Sequence, residues 1–109
     1  MPHDEGLAHR IREMLDDGPA YVEKKMFGGL SFMVNGNMSV GITSDDLVVR
    51  VGKENDAEAL SHPHTRPMDF TGKPMKGWIY VAPEGYASDE DLLAWIQRGL
   101  DFALSLPPK

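Results

Sequence analysis

The sequence predicts an α+β domain of two layers: an antiparallel five-stranded sheet with helices on one face, in the order α-β(3)-α-β(2)-α. Three observations carry that expectation. An amphipathic stretch opens the chain, Asn35-Gly36 lies between two apolar segments as a hairpin-turn pair, and a long apolar stripe at helical spacing ends near Pro107-Pro108. At 109 residues, with ordinary apolar and charged fractions, one domain spanning 1–109 is expected.

Residues near 4–17 are the first helix, because Leu7, Ile11, Met14 and Leu15 share one stripe. Asp4 and Glu5 suit its N-terminal dipole, and Gly18-Pro19 stops it. Met26 to Val34 then reads as one long strand, turned at Asn35-Gly36 into a second in which Met38, Val40 and Ile42 alternate with Ser39, Gly41 and Thr43. Thr43 to Asp46 is a turn, and Leu47 to Val51 a third strand. Lys53 to Leu60 is a short helix, ended by His62-Pro63-His64 because the residue before proline avoids the helical region. Pro67 to Phe70 is a short strand, Thr71-Gly72 a turn and Gly77 to Val81 a clear strand closed by Pro83 and Gly85. Ser88 caps the last helix, with Asp89, Glu90 and Asp91 in its first turn. In that helix Leu92, Trp95, Ile96, Gly99, Leu100, Ala103 and Leu106 keep helical spacing. Helices on one face leave the other to explain, and there Ser39, Gly41 and Thr43 suggest a shallow, uncovered apolar depression, which is typical of a contact surface.

Composition narrows the function. With no cysteine there is no disulfide, thiolate metal site or cysteine nucleophile. No apolar run is long enough to span a bilayer, and the opening residues carry acids without a signal-peptide core, so a cytoplasmic protein with no membrane partner is expected. The formal charge of -6 disfavours direct nucleic-acid binding, since phosphate contacts supply most non-specific affinity. Charge is uneven, however. Residues 21–80 hold seven acids and seven bases, including Lys24, Lys25, Arg50, Lys53, Arg66, Lys73 and Lys76, so a local basic patch remains open.

Most short motifs have a plain structural explanation. His62 and His64 could share a metal from an extended segment, but no cysteine stands beside them and a prolyl surface loop is the better account. Gly29-Leu30-Ser31 lacks the second glycine of a nucleophile elbow and runs into more strand. Gly28-Gly29 is no phosphate loop, because neither a Lys-Ser/Thr pair nor a helix follows. The segment Lys73-Pro74-Met75-Lys76-Gly77-Trp78 offers more, since it would present cations and an aromatic ring together to an anionic or planar ligand. Its structural alternative is a hairpin with Trp78 in the core.

Lys25-Met26-Phe27-Gly28-Gly29, then Val34-Asn35-Gly36, Met38, Leu47 and Arg50 resemble the N-terminal domain of the TfoX/Sxy competence regulators. The resemblance continues through Pro67-Met68-x-Phe70, Met75 and Trp78-x-Tyr80-Val81-x-Pro83, covering the chain from about Lys24 to the final helix. It implies the same α-β(3)-α-β(2)-α order, no cofactor and no established catalytic residues, and the residues themselves lead to no expected metal. Full-length competence regulators add a C-terminal helical domain and act in transcriptional control of DNA uptake, so a stand-alone N-domain of a bacterial regulator is implied. Gly28-Gly29 would then bend a long first strand across the sheet.

The expected function is a non-enzymatic binding or regulatory domain. Its candidate binding residues are Lys25, Phe27, Gly28, Gly29, Arg50, Met75, Lys76, Trp78 and Tyr80. The expected partner is another protein or a second copy of the chain. The alternative is a small anion-binding domain or enzyme in which Lys25, Arg50 and Lys76 converge on one concavity.

Overall fold

A computed structural model describes residues 5–16, 18, 20–26, 29–69, 72 and 75–108. Along them run α1 (Glu5–Leu15), β1 (Val22–Met26), β2 (Gly29–Val34), β3 (Asn37–Thr43), β4 (Asp46–Arg50), α2 (Asp56–Leu60), β5 (Thr65–Met68), β6 (Met75–Val81) and α3 (Asp89–Ser105). Short 3-10 turns at Lys53–Asn55 and Pro83–Gly85 precede α2 and α3. The chain is α+β, as predicted, with one open antiparallel sheet ordered β1-β2-β3-β4-β6-β5.

The sheet has six strands where the sequence predicts five. Met26 to Val34 is two strands: the chain reverses, and Met26 pairs with Gly29. The extra strand escaped the pattern because Val22-Glu23-Lys24-Lys25 has no apolar alternation. At the edge of a sheet it needs none, and exposed charges there discourage pairing with other chains. The predicted bend at Gly28-Gly29 gives way to a reversal, while Phe27 and Gly28 themselves lie outside the described residues. Gly29 has a specific reason to be glycine. A Cβ there would sit 1.8 Å from the Ile42 carbonyl oxygen of β3, so the third strand approaches where any side chain would stand.

Other elements follow the sequence closely. Asn35 and Gly36 both take positive φ, +55° and +80°, as their hairpin turn requires. Ser88 caps α3, its hydroxyl accepting from the Asp91 N–H at 3.1 Å. On α1, Leu7, Ala8, Ile11 and Leu15 are buried. Arg10 ties that helix to the start of α3, donating to the Tyr86 and Ala87 carbonyls and to Asp89 Oδ1.

Two apolar clusters lie on the alternate faces of the strands. The larger joins α1 and α3 to Leu30, Phe32, Val34, Val40, Ile42, Leu47, Val49, Ile79 and Val81. The smaller gathers Met38, Val48, Met68 and Tyr80, with Met33, Met75 and Trp78 packed against it. Trp78 and Tyr80 thus turn away from α1 and α3. The predicted alternation of Met38 with Val40 fails because the β2–β3 register slips between Phe32↔Val40 and Met33↔Met38. The extra residue is Ser39, whose hydroxyl donates to the Phe32 carbonyl at 2.9 Å. Beyond this bulge Met38 joins the smaller cluster.

The expected bare depression is therefore filled. Ser39 and Gly41 are buried, Met38 reaches over Gly41, and Met38, Val48, Met68 and Tyr80 are each at most 5% exposed. The bulge also brings α3 close. A Cβ on Gly99 would lie 2.4 Å from the Ser39 carbonyl oxygen, so that helix needs glycine at the crossing.

Candidate functional site: the Arg50 cleft

The cleft begins at the end of β4. Leu47 and Val49 point into the main core and Val48 into the smaller cluster, while Arg50, at the strand's end, is reached by both Trp78 of β6 and Phe102 of α3. Arg50 is the last residue of its strand and stands opposite Trp78 of β6. Its guanidinium carbon lies 4.9 Å from the Trp78 ring centroid and 5.0 Å from that of Phe102, which comes from the last turn of α3.

Two glycines shape the floor. Gly52 and Gly77 have φ of +88° and +92°, a region that L side chains rarely adopt. The Gly77 carbonyl accepts from the N–H of Val51 at 2.8 Å and of Gly52 at 3.1 Å. Its own N–H donates to Asp56 Oδ1 at 2.8 Å. A Cβ on Gly77 would lie 2.9 Å from the Lys53 nitrogen, and one on Gly52 would lie 2.6 Å from the Phe102 ring. Backbone meets backbone on one side and an aromatic ring on the other, and neither leaves room for a methyl group.

The cavity so formed measures about 670 Å³ and is lined by Arg50, Gly52, Lys53, Glu54, Asn55, Lys76, Gly77, Trp78, Arg98, Asp101 and Phe102, among others. That volume lies within the range of small-molecule sites, roughly 300–1,000 Å³. Its electrostatics centre on Arg50. The chain's other arginines are all paired: Arg10 with Asp89 at 3.1 Å, and Arg12 with Glu23, Arg66 with Asp46 and Arg98 with Glu58 at 2.7 Å. Arg50 has no carboxylate partner among the described residues. Burial, with no acid to offset it, pulls its guanidinium below the ordinary value. Arg12 and Arg66 move the other way, chiefly through their hydrogen bonds to Glu23 and Asp46.

The predicted site residues separate into distinct places. Arg50, Lys76 and Trp78 meet at the cleft. Lys25 does not join them: it sits exposed on β1, at the far edge of the sheet, with β2 and β3 between it and β4. The three-cation cluster expected from the sequence is thus reduced to Arg50 and Lys76. Tyr80 and Met75 belong to the smaller core cluster; Arg66 lies 4.5 Å over the Tyr80 ring, and burial followed by Asp69 raises the phenol. Gly29 is a packing residue of the β2–β3 pair. A second, shallower concavity of about 490 Å³ lies by β1, lined by Tyr21, Val22, Lys24 and Met33 among others.

Several cleft residues went unseen in the sequence. Phe102 is the clearest, and its signal was available: it is an aromatic residue off the apolar stripe of its own helix. Gly52 follows a strand directly and carries no chemistry of its own, and Lys53 reads only as the start of a short helix and one of seven scattered bases. Arg98 is engaged with α2, donating to Glu58 at 2.7 and 3.0 Å, and His62 meets the same carboxylate at 2.7 Å. Arg98 first and His62 second hold Glu58 down at about 2. His62 packs edge-on against Trp95, with ring centroids 5.3 Å apart. Among the described residues no three His, Asp or Glu side chains are placed to share a metal ion.

A family model described as the TfoX N-terminal domain matches residues 13–103. No curated protein and no solved structure matches the chain. The matched span contains all six strands and every aromatic and cationic residue of the cleft. The chain belongs to the TfoX N-terminal domain family.

Proposed function

We propose that the chain is a non-enzymatic binding domain with a regulatory role, acting in the bacterial cytoplasm as the competence regulators it resembles would, and that it engages a protein partner through the Arg50 cleft. One observation carries this reading. Arg50 is half-buried over two aromatic rings with no carboxylate partner among the described residues, while every other arginine is paired. A partly buried cation without a counter-charge costs stability, and its hydrogen-bond donors remain for a partner to fill. Arginine and tryptophan are also among the residue types enriched where binding energy concentrates at interfaces. Trp78 is backed by the smaller core cluster, which gives the cleft one packed wall. Among the described residues no helix is long and apolar enough to cross a membrane.

Native mass spectrometry of gently purified protein tests the reading. Wild type should carry additional mass, from a partner or a retained molecule, and the Arg50→Met variant should appear bare with an unchanged far-UV spectrum. Identical spectra for the two proteins would overturn it.

A further inference from the structure

We propose that the Arg50 cleft is an oxyanion site: Arg50 offers a carboxylate or phosphate group a two-point hydrogen bond, with Lys53 and Lys76 at the rim. The inference rests on the binding reading above and names the chemistry that the site takes.

The surroundings of the guanidinium support it. Its carbon lies over both the Trp78 and the Phe102 ring, and its five N–H donors share one plane. A planar fork of parallel donors matches two oxygens of a carboxylate or phosphate, and charge-assisted pairs of this kind are about twice as strong as neutral ones. Those donors have no acceptor among the described residues, whereas the guanidinium of Arg66, also over a ring, donates to Asp46.

Three cations of the lining stand free of the Glu58 pair. Arg98 is taken up by Glu58, which leaves Arg50, Lys53 and Lys76 in a lining that also holds Glu54 and Asp101, while Asp56 accepts from the Gly77 N–H of the floor. Asp101 in turn accepts from the Gln97 amide at 2.8 Å. The lysines are exposed, while Arg50 is half-buried beside two rings at the end of a paired strand. A planar fork in the cleft with exposed cations around it gives orientation from one group and attraction from the others.

The test is a proton–nitrogen NMR titration of the full chain with sodium phosphate and, separately, sodium acetate. Sodium chloride at matched ionic strength is the blank. The Gly52 and Gly77 amides and the Trp78 indole N–H should shift and saturate, while the Trp95 indole, bonded to the Gly85 carbonyl, should not move. Saturation with phosphate alone assigns a phosphoryl ligand, with acetate alone a carboxylate, and with both the shared chemistry. Arg50→Met should weaken binding at least about tenfold, a loss the size of one charge-assisted hydrogen bond. If that variant loses its spectral dispersion, Arg50→Lys, which keeps the charge and removes the fork, should still weaken binding several-fold. Shifts that stay linear and match chloride, or saturation unchanged in the Arg50 variant, would overturn the inference. Retained mass lost in Arg50→Met without any saturable anion response would reject the oxyanion and leave the binding reading standing. Saturable anion binding with identical native spectra would do the reverse.

Discussion

Replacing Gly77 by alanine tests the cleft floor, and Gly72→Ala supplies its internal control. Both glycines have nearly the same positive φ, +92° and +87°. They differ in surroundings. A Cβ on Gly72 meets nothing within 4 Å, whereas one on Gly77 meets the Lys53 nitrogen at 2.9 Å and the Gly52 carbonyl carbon at 3.0 Å. The left-handed conformation costs an L residue about 1–2 kcal/mol, partly offset by about 0.4–1 kcal/mol from the stiffer unfolded chain. Gly72→Ala should therefore lose only about 0.5–1 kcal/mol. Gly77→Ala adds an overpacking cost of about 1–3 kcal/mol against backbone that cannot rotate away, for a total of about 1.5–4 kcal/mol. For a domain of this size these losses amount to a melting temperature lower by about 6–16 °C in Gly77→Ala and by about 2–4 °C in Gly72→Ala. Urea unfolding by circular dichroism, with m-values compared, measures both. If the two variants lie within about 0.5 kcal/mol of each other, backbone strain explains everything and the tight crossing at Gly77 is refuted.

Gly29→Ala should be more severe, because its Cβ would fall 1.8 Å from the Ile42 carbonyl oxygen. A loss above about 3 kcal/mol is expected, a large share of a typical total of 5–15 kcal/mol, and a wild-type-like melt would contradict it. Glu58 is held at about 2 against an ordinary 4.5, so its folded-state value is depressed. The stabilisation from its pairing is complete above pH 4.5 and fades as pH falls through about 2. Denaturation at several pH values should show the gap between wild type and Glu58→Gln narrowing across that window. It should narrow also with added salt, because the pair is exposed. A gap independent of pH would remove Glu58 from the α2–α3 connection.

Much of the fold was legible because its signals are local. Asn35-Gly36 demands positive φ, Ser88 followed by acids marks a helix start, and the stripe from Leu92 to Leu106 has one period. The failures came where a distant neighbour decides. β1 is a charged edge strand with no alternation to read, and it exists because β2 pairs with it. Met38 changed faces because of a one-residue bulge at Ser39, invisible to a period-2 count. Gly29 and Gly99 look like weak points in a strand and a helix until the approaching carbonyls of Ile42 and Ser39 are seen. The site was legible by halves for the same reason. Arg50 and Trp78 stood out as an aromatic and a cation near strand ends, but the lack of an acid beside Arg50, and the presence of Phe102, depend on tertiary packing.

Lys25 and Arg50 were equal candidates in the sequence, and the structure sets them at opposite parts of the sheet. The most direct measurement is therefore a comparison of partner retention by three immobilised proteins: wild type, Arg50→Met and Lys25→Met, each with a native far-UV spectrum. Bound material is eluted and quantified by mass spectrometry. If binding resides in the Arg50 cleft, Lys25→Met holds what wild type holds and Arg50→Met loses it. Retention by Arg50→Met with loss in Lys25→Met would place binding at the β1 edge and contradict the account.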